Sequence, residues 1–209
     1  AIVMVLVTHL DLSEWLPDTP FVTQRLWRMI SGDFGVQLFF VISGFLITAL
    51  LLKELQTKGT INIFQFLIRR ALRLLPAFGM FLIMALTLST LGILPHLNES
   101  VIYAVFYIYN FVPRYKYAYE FAHLWSLGVE EQFYIIWPFI LKFVHSYKKL
   151  LLILLIGISM SCFLLLIYHK WAFTHSYFFE RWFIPACCPI LVGAMGAIFH
   201  SNFSLRIKA

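Results

Sequence analysis

Charge is scarce in this sequence. Aspartate, glutamate, lysine and arginine together make up 12% of the 209 residues, against 61% hydrophobic residues. An ordinary soluble domain carries about 25% charged and about 45–50% apolar residues, so a water-soluble globule is the reading this composition excludes first. Cysteine is scarcer still. Three residues, Cys162, Cys187 and Cys188, form an odd set with one adjacent pair, which excludes a disulfide framework. Their spacing fits no metal site, and they are expected to be buried, inert side chains. Internal repeats and low-complexity linkers are absent, so the chain reads as one membrane domain over residues 1–209. An initiator methionine is absent too, and the chain opens inside the apolar stretch Ala1–Leu10. Ten helical residues rise only about 15 Å. The expectation is a first helix lacking its beginning, in a piece incomplete at both ends. A signal peptide is not expected, because the stretch has neither a basic leader nor a small-residue cleavage site.

What is present is apolar sequence in long runs, at about 1–10, 34–52, 74–94, 101–112, 124–144, 150–168 and 183–199. Most are long enough to cross a hydrocarbon core of about 30 Å. The fold class expected is all-α: a polytopic transmembrane helix bundle of about six spanning segments. The run 101–112 is too short, at about 18 Å as a helix, and is read as re-entrant or interfacial. The net charge of +6 does not point to nucleic acid, because the basic residues cluster at the ends of apolar runs rather than on one soluble face. Cationic residues are enriched on the cytoplasmic side of membrane proteins. If the first run goes outward, ten lysines and arginines fall inside, among them Lys53, Lys58, Arg69, Arg70, Arg73 and Lys142, and six fall outside.

Polar residues inside the apolar runs are the candidates for chemistry, since charge within a bilayer is costly and usually faces a cavity or a partner. His9 ends the first run. It is either an interhelical hydrogen bonder or a general base suited to neutral pH; Asp11 beside it reads as a loop residue. Gly35, Phe39 and Ser43 share a helical face on which small residues permit close approach. The segment Phe64 to Pro76 is basic and amphipathic. Arg69, Arg70 and Arg73 lie three and four residues apart, close enough to converge. They serve either as cytoplasmic anchors or as a phosphate clamp, since the guanidinium fork matches phosphate oxygens. Pro76 is expected to mark the start of the next helix.

The most informative stretch is His123 to Pro138, where Glu130 and Glu131 interrupt an apolar run. Ser126, Glu130 and Tyr134 recur at four-residue steps and share one face, with Glu131 about 100° away around the helix. Either these groups do chemistry or they form a hydrogen-bonded network holding the helices together.

Taken together, His9, the Gly35 to Phe45 segment, the Arg69 to Pro76 segment and the Trp125 to Pro138 segment resemble acyltransferase family 3, the bacterial-type membrane O-acyltransferases, in order and spacing. The Trp-Ser-Leu-x-x-Glu-Glu-Gln-Phe-Tyr-x-x-Trp-Pro pattern is the most specific of the four. The resemblance implies about ten membrane helices in the whole family domain. It also implies an Arg eleven residues before the first-helix His, a position that falls before Ala1, and residence in a bacterial inner membrane.

It implies further a cytoplasmic acyl donor, an acyl-CoA such as acetyl-CoA, and a carbohydrate hydroxyl acceptor on a cell-surface glycan. No permanently bound cofactor or metal is expected. On that reading Arg69, Arg70 and Arg73 hold the donor's phosphates and His9 is the base or a transient acyl carrier. Glu130 orients or balances a histidine, His9 or His123, and Ser126 and Tyr134 donate hydrogen bonds to the developing oxyanion. The rival readings are a carrier or flippase for a glycan or lipid-linked sugar, which would use intramembrane charge equally well, and a non-catalytic sensor or scaffold.

Overall fold

The computed structural model describes residues 32–94, 97, 99–144, 146–171 and 179–208, with the side chains of 169, 171 and 202–208 left aside. His9, Asp11, Arg25 and Arg28 lie outside the described residues, so the proposed base is not among the groups placed below.

All regular structure among the described residues is helical. In chain order the helices are α1 (Gly32–Lys58), α2 (Ile63–Thr90), α3 (Ser100–Val105), α4 (Leu124–Phe143), α5 (Tyr147–Trp171), α6 (Phe183–Ala186) and α7 (Cys188–Lys208), with short 3-10 turns between α3 and α4 and before α6. In α1, α2 and the Tyr147–Tyr168 part of α5, the chain is long and apolar enough to cross a membrane. The side chains turned outward on α5, such as Leu152, Ile156 and Phe163, are large and apolar, a face suited to lipid and not to water. The expected all-α membrane fold is therefore the observed one, and the chain is an integral membrane protein.

The helix ends follow local chemistry. Gly59 adopts a φ of +72° after α1, where its N–H bonds the Leu55 carbonyl at 2.9 Å; the left-handed stop is the usual glycine role. Asn62 then caps α2, its side chain accepting from the Gln65 N–H at 3.0 Å. This cap starts the helix at Ile63, well before the expected boundary. Pro76 lies inside α2 instead of at its beginning. It removes one backbone donor, a loss that membrane helices tolerate when neighbouring groups compensate. The short run 101–112 is not one helix. It holds six-residue α3 and the turn Tyr109–Phe111, consistent with a segment that does not span. The last run is likewise divided, with α6 and α7 separated at Cys187 and Pro189 near the start of α7, where a proline is well accommodated.

Contacts divide the chain into two units, one holding residues 32–49 and 189–208 of the described chain and the other residues 50–188. In the first, α1 and α7 meet backbone to backbone. A Cβ on Gly44 would collide with the Ile190 carbonyl, and a Cβ on Gly193 with the Val41 carbonyl. Phe40, Gly44 and Ile47 form the buried stripe of α1, whereas Phe39 is exposed. Of the face expected from spacing, Gly35 is buried and Ser43 half-buried, and only Phe39 turns outward; the closest approach falls next to Ser43, at Gly44.

In the second unit, α2 and α4 run antiparallel, with Arg70 opposite Glu131 and Phe81 opposite His123. An apolar cluster including Phe78, Ala85, Leu97, Tyr109, Phe121 and Leu124 fills the space between α2, the 97–121 segment and the start of α4. The Ser161 hydroxyl donates to the Pro185 carbonyl at 2.7 Å and ties α5 to α6. The cysteines depart from the expectation of three buried thiols. Cys187 is buried, Cys188 is half-buried and Cys162 is exposed on α5, since an apolar residue on the outer face of a membrane helix has lipid as its solvent.

Candidate active site

Two turns into α2, Arg70 reaches across to α4 and meets both adjacent carboxylates. Its Nε donates to Glu131 Oε1 at 2.9 Å, and one terminal nitrogen lies 3.8 Å from Glu130 Oε2. The guanidinium carbon stands 3.3 Å above the centre of the Tyr134 ring, a cation–π contact that counts for more when desolvated. Glu130 and Tyr134 are almost fully buried, with relative exposures of 2% and 1%. One planar cation thus spans Glu130, Glu131 and Tyr134. Arginine suits the position because it alone offers both a fork for carboxylates and a flat face for a ring. Glu131, about 100° around the helix from Glu130, was not singled out by the face argument. An arginine reaching from a neighbouring helix can bridge two such residues, and here the Arg70–Glu131 contact is the shorter one.

The three arginines of α2 do not converge on one point. Arg69 turns to α1, where its terminal nitrogen is 3.8 Å from Glu54 Oε2; Glu54 also pairs with Lys58 at 3.3 Å. Arg73 is exposed. Ser126 lies at the other end of α4, its hydroxyl donating to the His123 carbonyl at 3.0 Å. Eight helical residues separate it from Tyr134, a rise of about 12 Å, so a single oxyanion can be served by only one of the two. His123 packs edge-on against Phe81, ring centres 5.0 Å apart.

The layer that fixes α4 was not foreseen from sequence. Gln132 and Asn110 exchange side-chain hydrogen bonds of 2.9 and 3.2 Å, and Gln132 also donates to the Tyr107 carbonyl at 3.1 Å. Gly128 makes the approach possible: a Cβ there would stand 2.7 Å from the Tyr107 oxygen and 3.0 Å from Asn110 Oδ1. Tyr107 itself takes a positive φ of 55°, a costly conformation for a bulky residue that these contacts hold in place. Tyr109 locks the next stretch, donating to the Ala118 carbonyl at 2.7 Å and accepting from its N–H at 2.8 Å. Burial pushes the Tyr109 phenol up to about 12, so it keeps the proton this donation needs. Sequence offered one signal for the clamp, a glutamine directly beside the glutamate pair; its partner, 22 residues earlier, had none.

A helical membrane protein with a desolvated arginine–dicarboxylate cluster is the class defined by fold and site. Residues 1–209 match the family described as acyltransferase domain, and the chain belongs to that family. It is similar to the O-acetyltransferase OatA of Staphylococcus aureus strain NCTC 8325 / PS 47, 36% identical over 162 residues, which cover 71% of this chain and 24% of that protein. The OatA of strain COL gives the same figures. The matched part thus amounts to about a quarter of the length of these relatives. No solved structure matches the chain.

Proposed function

We propose that this chain is the donor-handling part of a membrane-embedded O-acetyltransferase, which moves an acetyl group from acetyl-CoA to a hydroxyl of a cell-surface carbohydrate in a bacterial inner membrane. Family membership and the names of the relatives support the reaction class. The observation that carries the reading is the Arg70–Glu130–Glu131–Tyr134 cluster, formed where the family-like Trp125 to Pro138 pattern meets the arginine segment. Preorganised charge in a water-poor site is the arrangement that stabilises developing charge in acyl transfer.

In this scheme the acceptor oxygen attacks the thioester carbonyl, its proton passes to His9, and the CoA thiolate leaves. Arg73, exposed on α2, attracts the donor's phosphates to this end of the bundle, while Arg69 is held by Glu54 and Arg70 is committed to the carboxylates and orders the donor path. Tyr134, beside the cluster, takes the oxyanion role in preference to Ser126, which is two turns away. The test is release of free CoA from labelled acetyl-CoA by membranes carrying the full-length protein. Glu130→Gln is expected to lower turnover at least tenfold with normal insertion. Sugar movement across the membrane without CoA release would establish the carrier instead, and full turnover by Glu130→Gln would return the cluster to a purely structural role.

A further inference from the structure

At the end of the second unit where α1 gives way to α2 and α4 comes to its close, a cleft of about 600 Å³ opens between the 60–67 segment and the last turns of α4. Its walls are of two kinds. Ile63, Phe64, Leu67 and Phe139 offer apolar surface, and Thr60 and Lys142 offer a hydroxyl and an ammonium. Lys142 is half-buried on this wall and, among the described residues, has no carboxylate partner. The contrast with its neighbours is informative. Arg69 is paired with Glu54, and Arg70 with Glu130 and Glu131, so two of the three arginines of the expected phosphate clamp are already occupied; Arg73 is exposed on α2, whereas Lys142 lines a cleft. The surrounding charge has one sign. Lys53, Lys58, Lys148 and Lys149 belong to the same connections, against the single acid Glu54.

We infer that this cleft binds the phosphorylated nucleotide end of the acyl-CoA donor, with Lys142 as its phosphate ligand. Three features of the cleft match that ligand. An ammonium on a flexible stem suits a phosphate as a point charge. The rings of Phe64 and Phe139 give a flat base something to lie against. The volume lies within the roughly 300–1,000 Å³ of small-molecule sites. α2 and α4, which form the walls, also carry the Arg70 cluster about two turns deeper, so a donor seated here by its nucleotide end directs its acyl arm along them. The inference rests on the acetyltransferase reading but assigns a residue and a cleft that the reading does not need.

The experiment uses the detergent-solubilised full-length protein and two probes, CoA and adenosine 3′,5′-bisphosphate, titrated calorimetrically. Lys142→Glu is expected to weaken both at least tenfold, the factor that corresponds to about 1.4 kcal/mol. Lys142→Arg is expected to stay within about threefold and thereby to show that the fold tolerates change at this position. Lys116→Gln, far from the cleft, should bind as the unaltered protein does. If CoA binds the unaltered protein and Lys142→Glu equally well, the cleft assignment falls and the acetyltransferase reading stands. If the unaltered protein binds neither probe, the donor reading falls with it. Should Lys142→Glu keep CoA affinity but lose co-purified phosphatidylglycerol, the cleft is a lipid site and the inference is overturned.

Discussion

Two helix pairs in this chain solve the same problem in opposite ways. Between apolar helices in lipid there is little hydrophobic drive to associate, and contact depends on close packing or on polar groups. The α1–α7 pair uses the first device. Gly44 and Gly193 remove side chains so that each backbone touches the other. The α2–α4 pair uses the second, a guanidinium held between two carboxylates and over a tyrosine ring. The first contact is made by the absence of side chains at Gly44 and Gly193. The second concentrates charge where lipid would otherwise be and must be fully compensated to persist. On the function proposed above, chemistry belongs to α2–α4 and architecture to α1–α7.

The largest effect that could break the comparison is loss of Arg70. Arg70→Ala would leave Glu130 and Glu131 without their cation, and removing one partner of a buried pair costs about 3–5 kcal/mol. The expected outcome is a markedly lower melting temperature of the solubilised protein together with loss of acetyl transfer. Arg70→Lys keeps the charge but not the fork or the planar face, and is expected to recover stability in part while turnover stays low. A stable, fully active Arg70→Ala would show that the ionic contact is dispensable and erase the contrast with α1–α7.

Next in size is Gly193→Leu. The added side chain must displace backbone and not merely a flexible neighbour, and overpacking of this kind typically costs about 1–3 kcal/mol. Melting temperature should fall, whereas CoA affinity should not, because no donor-handling residue belongs to that pair. A selective fall in CoA affinity at unchanged stability would sink the division of labour.

Much of this was legible in the sequence. Run length and the scarcity of charge announced membrane helices, because a hydrocarbon solvent admits few alternatives. The glutamates of the 123–138 stretch announced a need for a partner for the same reason, and Arg70 is that partner. What escaped were relations between elements. Spacing along α4 placed Glu131 off the face shared by Ser126, Glu130 and Tyr134, but an arginine from α2 reaches both glutamates. Arg69 and Arg70 looked like one clamp, yet adjacent helical residues point about 100° apart and here find different acids. Gly35, Phe39 and Ser43 satisfied a four-residue pattern, but the closest contact falls at Gly44, and only the partner helix α7 could show that. The Asn110–Gln132 exchange had no sequence periodicity to report it.

That exchange supplies a smaller test. Gln132→Leu leaves Asn110 and the Tyr107 carbonyl without a partner at a point where Tyr107 already holds a positive φ. Leaving a buried polar group unsatisfied costs about 1–3 kcal/mol. A modest drop in melting temperature is expected, with the Arg70 cluster, and so CoA release, reduced less than in Arg70→Ala. Equal losses in the two variants would mean that the clamp, and not the charge, governs the site.

The smallest effect expected lies on the link between α3 and α4, where Lys116 pairs with Glu99 at 3.1 Å. Here charge meets water instead of lipid, and pairs of this kind contribute little. The hydrogen bond and charge of Glu99 raise the Lys116 ammonium above its usual value of 10.5. A raised cationic pKa means that whatever the pair contributes is fully present below 10.5 and is lost only as pH climbs through the higher folded value. Between pH 6 and 9, then, Lys116→Ala should follow the same melting curve as the unaltered protein and release CoA at the same rate, measured side by side at each pH. The same two charges that matter little here would matter greatly at α2–α4, and a large effect of Lys116→Ala in that range would show that solvent, the variable on which the whole contrast turns, is not what separates them.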